Sequence, residues 1–420
     1  MRLALSMDSP FRLRGTRFSA PAAARVMQSS GRDRVEQDSQ LGAGRIETIM
    51  PLTTEFVGTT NVNPSSTQSD ILQLLLRMHD AEASDLHLVP GYRPMYRVHG
   101  DLRPAGETVL APGSALEAVR AVSTPETSAR VGNMNDLDFA LSLPGPSGVA
   151  RFRVNVFASR GDFGACFRAI PEKIPSLGEL GFPIELAEKI TRLNNGLVLV
   201  TGITGSGKTT TLAALIQMIN ARGGSRIITI EEPIEYVYPQ TDGSVVTQRE
   251  VGTDISSFFD GLRYGLRQDP DVLLVGEIRD RETAQLALSA AETGHLIFAT
   301  MHTIDAKGAV TRIVDLFPPE QHDDIRTQLS MSLRYVIAQH LLQTGSGGRR
   351  VLAMEVMYAN FSVRSAIRQW KIKNIESAIQ SGRKDGMFTL DADLRRLVTA
   401  NQLPIEVART FAKDPEEFGA

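Results

Sequence analysis

Residues Gly202 to Thr209 read Gly-Ile-Thr-Gly-Ser-Gly-Lys-Thr, which fits the phosphate-binding pattern G-x-x-x-x-G-K-[ST]. Glycines in such a loop let several backbone N–H groups close around the oxygens of a phosphate. In this pattern the lysine, here Lys208, reaches the β- and γ-phosphates, and the hydroxyl, here of Thr209, binds Mg²⁺. We therefore predict ATP and Mg²⁺ as cofactors, with the nucleotide held by Gly202, Thr204, Gly205, Ser206, Gly207, Lys208, Thr209 and Thr210.

The segments on either side of this loop have the pattern that a phosphate-binding loop needs. Residues 196–201 read Gly-Leu-Val-Leu-Val-Thr, a run typical of a buried parallel strand. After the loop, apolar residues recur at helical spacing: Leu212, Leu215, Ile216 and Ile219. A helix that begins at the loop favours negative charge at its N-terminus. This context favours a phosphate site over a chance glycine turn.

Acidic residues follow two further apolar segments that are predicted to be strands. Glu231, Glu232 and Glu235 come after residues 227–230, and Glu277 comes after residues 272–275. The carboxyl ends of parallel strands meet at one edge of a sheet, where ligands bind in open α/β folds. Phosphoryl transfer needs a metal ion and an oriented water, and both tasks suit carboxylates. Either acidic group alone is explained equally well by a strand end that faces water, but two of them downstream of a phosphate loop favour function.

Two histidines flank another predicted strand, at residues 296–300. His295 precedes this strand and His302 follows it, so we expect the two side chains at opposite ends and no metal shared between them. Each histidine is a candidate for contact with a phosphate or with another subunit. A purely structural role stays open for both.

The composition is that of an ordinary globular protein long enough for two or three domains. Of the 420 residues, 42% are hydrophobic and 22% are charged, and the formal net charge is −3. This charge argues against nucleic acid as a partner. The one cysteine, Cys166, excludes an internal disulfide and a four-cysteine zinc site. Because no stretch of 18 or more apolar residues occurs, any role at a membrane is expected to depend on a partner.

Composition and periodicity divide the chain into an extension, two domains and a linker. Residues 1–66 are rich in Arg, Ser, Ala, Thr and Gln without sustained periodicity, and we expect them to be mostly disordered. Residues 67–171 combine a helical stretch with short alternating strands, which predicts a small α+β domain. A linker at 172–176 leads to residues 177–420, where strands alternate with helices as in a parallel sheet covered on both faces. After about residue 319 the strands nearly stop, and helices are predicted at 321–342, 362–381 and 388–412.

Over most of residues 70–420 the chain resembles the secretion ATPase superfamily, which drives type IV pili and type II secretion. The resemblance rests on motifs that occur in order. Residues 205–209 match the Walker A box, 229–235 the Asp box, 269–280 the Walker B segment, and 291–295 with 300–303 the His box. In the first domain, Ala-Ser-Asp-Leu-His-Leu at 83–88 and Arg-Phe-Arg-Val-Asn at 151–155 match as well.

The resemblance implies an α/β fold with a RecA-like P-loop NTPase domain and C-terminal helices, preceded by a small α+β, PAS-like domain. It also implies a homohexameric ring, in which nucleotide lies between the two domains of one subunit and the first domain of its neighbour. Arginines on that first domain reach the phosphates, and Arg153 and Arg168 stand at the matching positions. Both lie in alternating strand-like segments, so we expect them to face one side of a sheet.

The resemblance further assigns roles to the acids. Glu231 is the expected water-activating base and Glu277 supports Mg²⁺ and the water network, while an exchange of these two roles stays open. Glu232 stands where the family commonly has Asp, which keeps the charge and shifts any metal contact. The expected metal ligands are Thr209, Glu232 and Glu277. The expected catalytic residues are Lys208, Glu231, Glu277, Arg153, Arg168, His295 and His302.

Among the branches of this superfamily, the retraction branch fits best. Assembly and secretion branches usually carry a larger N-terminal region and often a four-cysteine zinc module, which a single cysteine cannot form. Residues 366–368, 377–380 and 386–390 resemble the C-terminal helices of retraction ATPases, although the segment between 366 and 377 is shorter. The expected activity is ATP hydrolysis that powers pilus retraction and twitching motility, in the cytoplasm, with an inner-membrane platform protein and a paralogous retraction ATPase as partners. An accessory paralogue, an assembly or type II secretion ATPase, and a nucleic-acid motor stay open as alternatives.

Overall fold

The computed structural model describes residues 66–98, 100–133, 135–145, 148–171, 173–344 and 350–419, which contain two β-sheets. The extension predicted at residues 1–66 lies outside these ranges, except for Ser66. Within them, no helix combines the length and the apolar character that crossing a membrane requires.

The first sheet has six strands, and neighbouring strands are antiparallel throughout. Its strand order is β3-β2-β1-β6-β5-β4. The elements are α1 (Ser66–Asp80), β1 (Ala83–Leu88), β2 (Met95–Val98), β3 (Asp101–Pro104), α2 (Ser114–Val122), α3 (Pro125–Arg130), β4 (Asp136–Gly145), β5 (Gly148–Ser159) and β6 (Asp162–Ile170). The strands predicted from alternating apolar residues are present. The short strand β3 was not anticipated, because all four of its residues are exposed and no alternation marks it.

Helix α1 covers one face of this sheet because its apolar residues recur on one side. Ile71, Leu75 and Met78 are buried at spacings of three and four residues and pack into the core formed with the strands. Strands β5 and β6 alternate between buried and less buried residues. Their polar side chains, including Arg153 and Arg168, therefore emerge on the face away from this core.

The second sheet has seven strands in the order β13-β12-β7-β11-β10-β8-β9. All neighbouring strands are parallel except the antiparallel pair β12 and β13. The strands are β7 (Gly196–Thr201), β8 (Arg226–Glu231), β9 (Val245–Glu250), β10 (Val272–Val275), β11 (Leu296–Met301), β12 (Leu333–Gln343) and β13 (Arg350–Tyr358). The helices are α4 (Ile184–Thr191), α5 (Lys208–Arg222), α6 (Phe258–Gly265), α7 (Arg281–Glu292), α8 (Ala306–Asp315), α9 (His322–Ser332), α10 (Phe361–Arg368), α11 (Lys373–Ser381), α12 (Leu390–Thr399) and α13 (Ile405–Phe411).

The central strands read as continuous apolar runs because helices cover both faces of the sheet. Every residue of β7, β10 and β11 is buried. Helices α4 and α5 contribute to the core on one face, and α6, α7 and α8 to the core on the other. The carboxyl ends of the parallel strands open on one edge, and the phosphate loop lies there between β7 and α5.

The predicted helix over residues 321–342 is wrong in its second half. Helix α9 ends at Ser332, and the chain continues as the strands β12 and β13. An apolar run such as residues 333–342 does not by itself distinguish a buried strand from a buried helix. Pairing of β12 with β7 decides for the strand. The helices predicted at 362–381 and 388–412 are present as the pairs α10–α11 and α12–α13.

Candidate nucleotide-binding site

The phosphate loop adopts a conformation that depends on its glycines. Gly202, Gly205 and Gly207 have φ angles of 147°, 81° and 85°, in the region that side chains rarely adopt. A Cβ atom at Gly202 would also collide with Ser206 Oγ and with the carbonyl oxygen of Gln339. Helix α5 begins at the next residue, Lys208, so its free N–H groups face the loop. The loop and the helix start together form an anion-binding site.

Lys208 is held inside this loop. Its Nζ donates to the carbonyl oxygens of Gly202 at 2.8 Å and Ile203 at 3.0 Å. Burial lowers the pKa of Lys208, while the carboxylates of Glu277 and Glu235 act in the opposite direction. Phosphate oxygens in the loop would compete with the two carbonyls for the same ammonium group.

Glu231 is a buried carboxyl group at the end of β8. It accepts hydrogen bonds from Thr229 Oγ1 at 2.6 Å and from Gln248 Nε2 at 3.2 Å. Burial raises the pKa of Glu231 to about 7, although these two hydrogen bonds favour the charged form. A carboxyl group with such a pKa suits proton transfer near neutral pH.

The raised pKa of Glu231 predicts a pH-dependent cost in stability. The unfolded chain releases this proton near pH 4.5 and the folded chain near pH 7, so stability falls as pH rises between these values. The full cost is 7 − 4.5 = 2.5 pKa units, or roughly 3 kcal/mol. Glu231→Gln removes the cost, so its gain in the free energy of unfolding should be about 2 kcal/mol larger at pH 8.5 than at pH 5.5. Melting temperatures of the nucleotide-free proteins at both pH values measure it, and an equal gain at both would contradict the raised pKa.

A chain of charged groups connects β8, β10 and β11 at the sheet edge. Glu277 lies 2.7 Å from Arg279 Nε and 3.3 Å from His302 Nε2. Arg279 Nη1 also lies 3.1 Å from Glu232 Oε2. Glu277 is largely buried, whereas Glu232 and Arg279 are exposed for about half of their side chains. One oxygen of Glu277 therefore faces the Arg279 guanidinium and the other faces the His302 ring.

The oxygen donors of this edge fit Mg²⁺. Thr209, Glu232 and Glu277 line one cleft, and hydroxyl and carboxylate oxygens are the ligands that Mg²⁺ takes in proteins. Among the described residues, no group of three or more His, Cys, Asp or Glu side chains is placed to hold a metal ion alone. A magnesium ion with one or two protein ligands and phosphate oxygens fits this arrangement.

Arg153 and Arg168 face the same cleft, which has a volume of about 510 Å³. The two residues lie directly opposite each other on β5 and β6, so both side chains leave the same face of the first sheet. Arg168 Nε donates to the buried Asp85 at 2.8 Å, and Arg153 Nε lies 3.5 Å from Asp138 Oδ1. The prediction that Arg153 and Arg168 face one side of a sheet is confirmed. The implied approach from a neighbouring subunit stays a prediction, and within one chain both arginines line its own cleft.

The two histidines occupy different places. His302 lines the cleft, where it contacts Glu277. His295 lies at the other end of β11, and its Nδ1 is 3.1 Å from the carbonyl oxygen of Ala290. Six strand residues separate the two histidines, a span of roughly 20 Å. The expected placement at opposite ends is confirmed, and His295 does not reach the phosphate loop of its own chain.

Most of the predicted nucleotide residues line the cleft: Thr204, Gly205, Gly207, Lys208, Thr209 and Thr210. Ser206 is buried beneath the loop, and Gly202 contributes the carbonyl that Lys208 contacts. The cleft also contains Leu341 and Arg350, which the sequence interpretation did not identify. They lie on β12 and β13, where a helix was predicted up to residue 342, so no pattern placed them near the loop.

Comparison with known proteins places the chain among relatives of similar length. It matches the family model "Type II/IV secretion system protein" over residues 63–410. A Pseudomonas aeruginosa protein named "Type IV pilus retractation ATPase PilT" is 44% identical over 349 residues, 83% of this chain and 100% of the relative. "Type IV pilus ATPase PilU" from the same organism is 37% identical over 346 residues, 82% of this chain and 89% of the relative.

A solved structure shows the same fold. "Crystal Structure of the Pilus Retraction Motor PilT and Bound ADP" matches with a TM-score of 0.75 and 39% identity, over 83% of this chain and 98% of that chain. The fold is therefore an α/β fold with a P-loop ATPase domain, as the loop, sheet and helix order also indicate. Its motifs, its sheet and these matches show that the chain belongs to the type II/IV secretion system protein family.

Proposed function

We propose that the chain forms a homohexameric ring that hydrolyses ATP to retract type IV pili and so drives twitching motility. One observation carries the proposal: Lys208, Glu231, Glu277, Arg153 and Arg168 converge on the cleft at the phosphate loop. The chain also spans the whole length of a relative named as a pilus retraction ATPase. We propose ATP and Mg²⁺ as its cofactors.

The arrangement assigns a role to each side chain. Glu231 takes the proton from the attacking water, and Lys208 stabilises the charge that grows on the β- and γ-phosphates. Arg153 and Arg168 add positive charge from the first sheet. Thr209 and Glu277, with Glu232 nearby, would hold Mg²⁺, which would supply positive charge to neutralise the phosphates.

The surroundings of the two acids favour Glu231 as the base. Glu277 lies 2.7 Å from Arg279 Nε and 3.3 Å from His302 Nε2, so both of its oxygens already contact neighbouring side chains. Among the described residues Glu231 forms no ion pair, and burial raises its pKa to about 7. We therefore assign proton transfer to Glu231, and support of Mg²⁺ and the water to Glu277.

Hydrolysis would change how the two sheets hold each other. The arginines belong to the first sheet and the phosphate loop to the second, so a bound triphosphate bridges the two. Loss of the γ-phosphate removes part of this bridge and lets the first sheet move. The antiparallel sheet with β1 and β6 side by side at its centre supports a PAS-like first domain, for which we propose residues 67–171. We propose residues 172–176 as a linker and 177–420 as the ATPase domain.

Mixed rings test whether the arginines act within their own subunit. Arg153→Ala is expected to lower ATP hydrolysis by about 100-fold, because one charge facing the phosphates is lost. Adding Lys208→Ala subunits is not expected to restore activity. If both side chains serve the cleft of their own subunit, each cleft in the mixed ring lacks either Arg153 or Lys208. Hydrolysis by the mixture is compared with each variant alone, with Arg160→Ala, an exposed turn residue, as control. Recovery in the mixture would show that the arginine serves a neighbouring subunit.

We also propose a location and partners. The ring acts in the cytoplasm, against the inner membrane, through a pilus platform protein. Because Pseudomonas aeruginosa has both PilT and PilU relatives, a paralogous retraction ATPase is a further proposed partner. No nucleic-acid partner is proposed, since the net charge is −3.

The share of this chain that is matched, and the identity, favour retraction over secretion. The type II secretion system protein E of Pseudomonas aeruginosa matches only 62% of this chain and 51% of its own length. The PilT relative matches over its full length and with higher identity than the PilU relative. Retraction is therefore the first candidate function, and an accessory role beside a retraction motor is the second.

Counting surface pili after deletion of the gene tests the proposed function. A retraction motor predicts more pili and loss of twitching. Loss of pili would show an assembly motor. Unchanged pili with unchanged twitching would contradict a motor role and leave an accessory role.

A further inference from the structure

Lys413 connects the C-terminal segment to three other parts of the fold. It follows α13, and its Nζ lies 3.0 Å from Glu355 Oε2, 3.8 Å from Asp305 Oδ2 and 3.9 Å from Glu376 Oε1. These acids belong to β13, to the turn before α8 and to α11. One ammonium group therefore contacts elements that are far apart in the sequence.

The backbone around Lys413 has anchors of its own. The N–H groups of Lys413 and Asp414 donate to the two carboxylate oxygens of Asp391, at 2.8 and 3.1 Å. The ring of Phe411 packs edge-on against His340, with centroids 6.2 Å apart. The path of the C-terminal segment therefore does not depend on the Lys413 side chain alone.

Of the three acids, Glu355 is the most buried, so its negative charge depends most on a nearby cation. Its side chain is 3% exposed, and its Oε1 accepts from the N–H of Ala306 at 2.9 Å. A buried carboxylate without a cation is costly. Burial lowers the pKa of Lys413, but the three neighbouring carboxylates outweigh this effect and raise it overall. Lys413 is therefore charged at neutral pH and balances Glu355.

Residues 302–306 connect the surroundings of Lys413 and Glu355 to the nucleotide cleft. At one end His302 lies 3.3 Å from Glu277. In the middle, the carbonyl of Ile304 accepts from His340 Nε2 at 3.2 Å. At the other end, Asp305 caps α8 and faces Lys413, and Ala306 donates to Glu355. Residues 302–306 therefore join the cleft contact of His302 to the contacts with Glu355 and Lys413.

We propose that Lys413 is a positioning residue for ATP hydrolysis. It holds residues 302–306 from the C-terminal side, so that His302 stays against Glu277, and it thereby couples the C-terminal helices to the cleft. The proposal rests on the ATPase activity proposed above and adds a residue that touches neither nucleotide nor the phosphate loop.

Kinetics of full-length variants test this role. Lys413→Met is expected to lower kcat about tenfold, the size of a typical coupling, with KM for ATP and the Kd for a fluorescent ADP analogue changed less than about twofold. Lys413→Arg is expected to restore kcat, because its guanidinium reaches the same carboxylates. Lys384→Met, which changes an exposed lysine between α11 and α12, is the matched control.

A second variant keeps the test valid if Lys413→Met does not fold. The double variant Lys413→Met with Glu355→Gln leaves no buried unpaired charge, and the new amide oxygen still accepts from Ala306. It is expected to fold and to show the same tenfold fall in kcat at unchanged nucleotide affinity. A folded variant with wild-type kcat, or one that loses only nucleotide affinity, would overturn the positioning role. A wild-type chain without ATPase activity would instead overturn the proposed function.

Discussion

Lys208→Ala is expected to abolish ATP hydrolysis while the chain stays folded. The ammonium group lies inside the loop, 2.8 Å from the carbonyl of Gly202, where it would face the phosphates of a bound nucleotide. Without it, the charge that develops on the β- and γ-phosphates loses its nearest fixed cation, which should slow hydrolysis by about 1,000-fold. Phosphate release under saturating ATP measures the effect.

Folding is expected to survive this change, because the Lys208 side chain packs into none of the hydrophobic clusters of the described residues. Its hydrogen bonds go to two loop carbonyls. Circular dichroism and melting temperature check this point. Lys189→Ala, which changes an exposed lysine on α4, serves as the matched control and should hydrolyse ATP normally. Normal turnover by a folded Lys208→Ala protein would refute the site.

Glu231→Gln is the second change with a large expected effect. The amide keeps the size of the side chain but cannot take a proton from water, so kcat should fall by about 10²- to 10⁴-fold. Nucleotide binding should persist, because Glu231 accepts its hydrogen bonds from Thr229 and Gln248 rather than from the phosphate loop.

The pH profile of the wild-type protein adds to this test. The base must be deprotonated, and its pKa in the free protein is about 7, so kcat/KM should rise with pH and level off above that value. The residual activity of Glu231→Gln should lack this rise. Glu185→Gln, at an exposed position in the first turn of α4, is the control. If Glu277→Gln instead removed the pH dependence and Glu231→Gln kept it, the two roles would be exchanged.

The loop and its two flanking elements were predictable from local patterns. Glycine spacing, the apolar run before Gly202 and the helical spacing after Lys208 each have a local physical cause, and β7 and α5 lie where these patterns place them. The cross-strand pair of Arg153 and Arg168 was predictable in part. Alternation shows that two residues share a face, but not which cleft that face meets.

Contacts made through tertiary pairing were not predictable. The contacts of Arg279 with Glu232 and of Glu277 with His302 depend on the order in which β8, β10 and β11 pair. Arg350 reaches the cleft only because β12 pairs with β7 and β13 folds back on β12. Neither pairing leaves a periodic mark in the sequence, and a run of apolar residues fits a helix as well as a strand.

The most direct test of the central claim is imaging of fluorescently labelled pili on live cells that lack this gene. The deletion strain is complemented with the wild-type chain or with Glu231→Gln at equal expression. We expect pili to extend in both strains but to shorten only in the strain with the wild-type chain. Pili that shorten at the wild-type rate with Glu231→Gln would contradict the claim that hydrolysis at this site powers retraction.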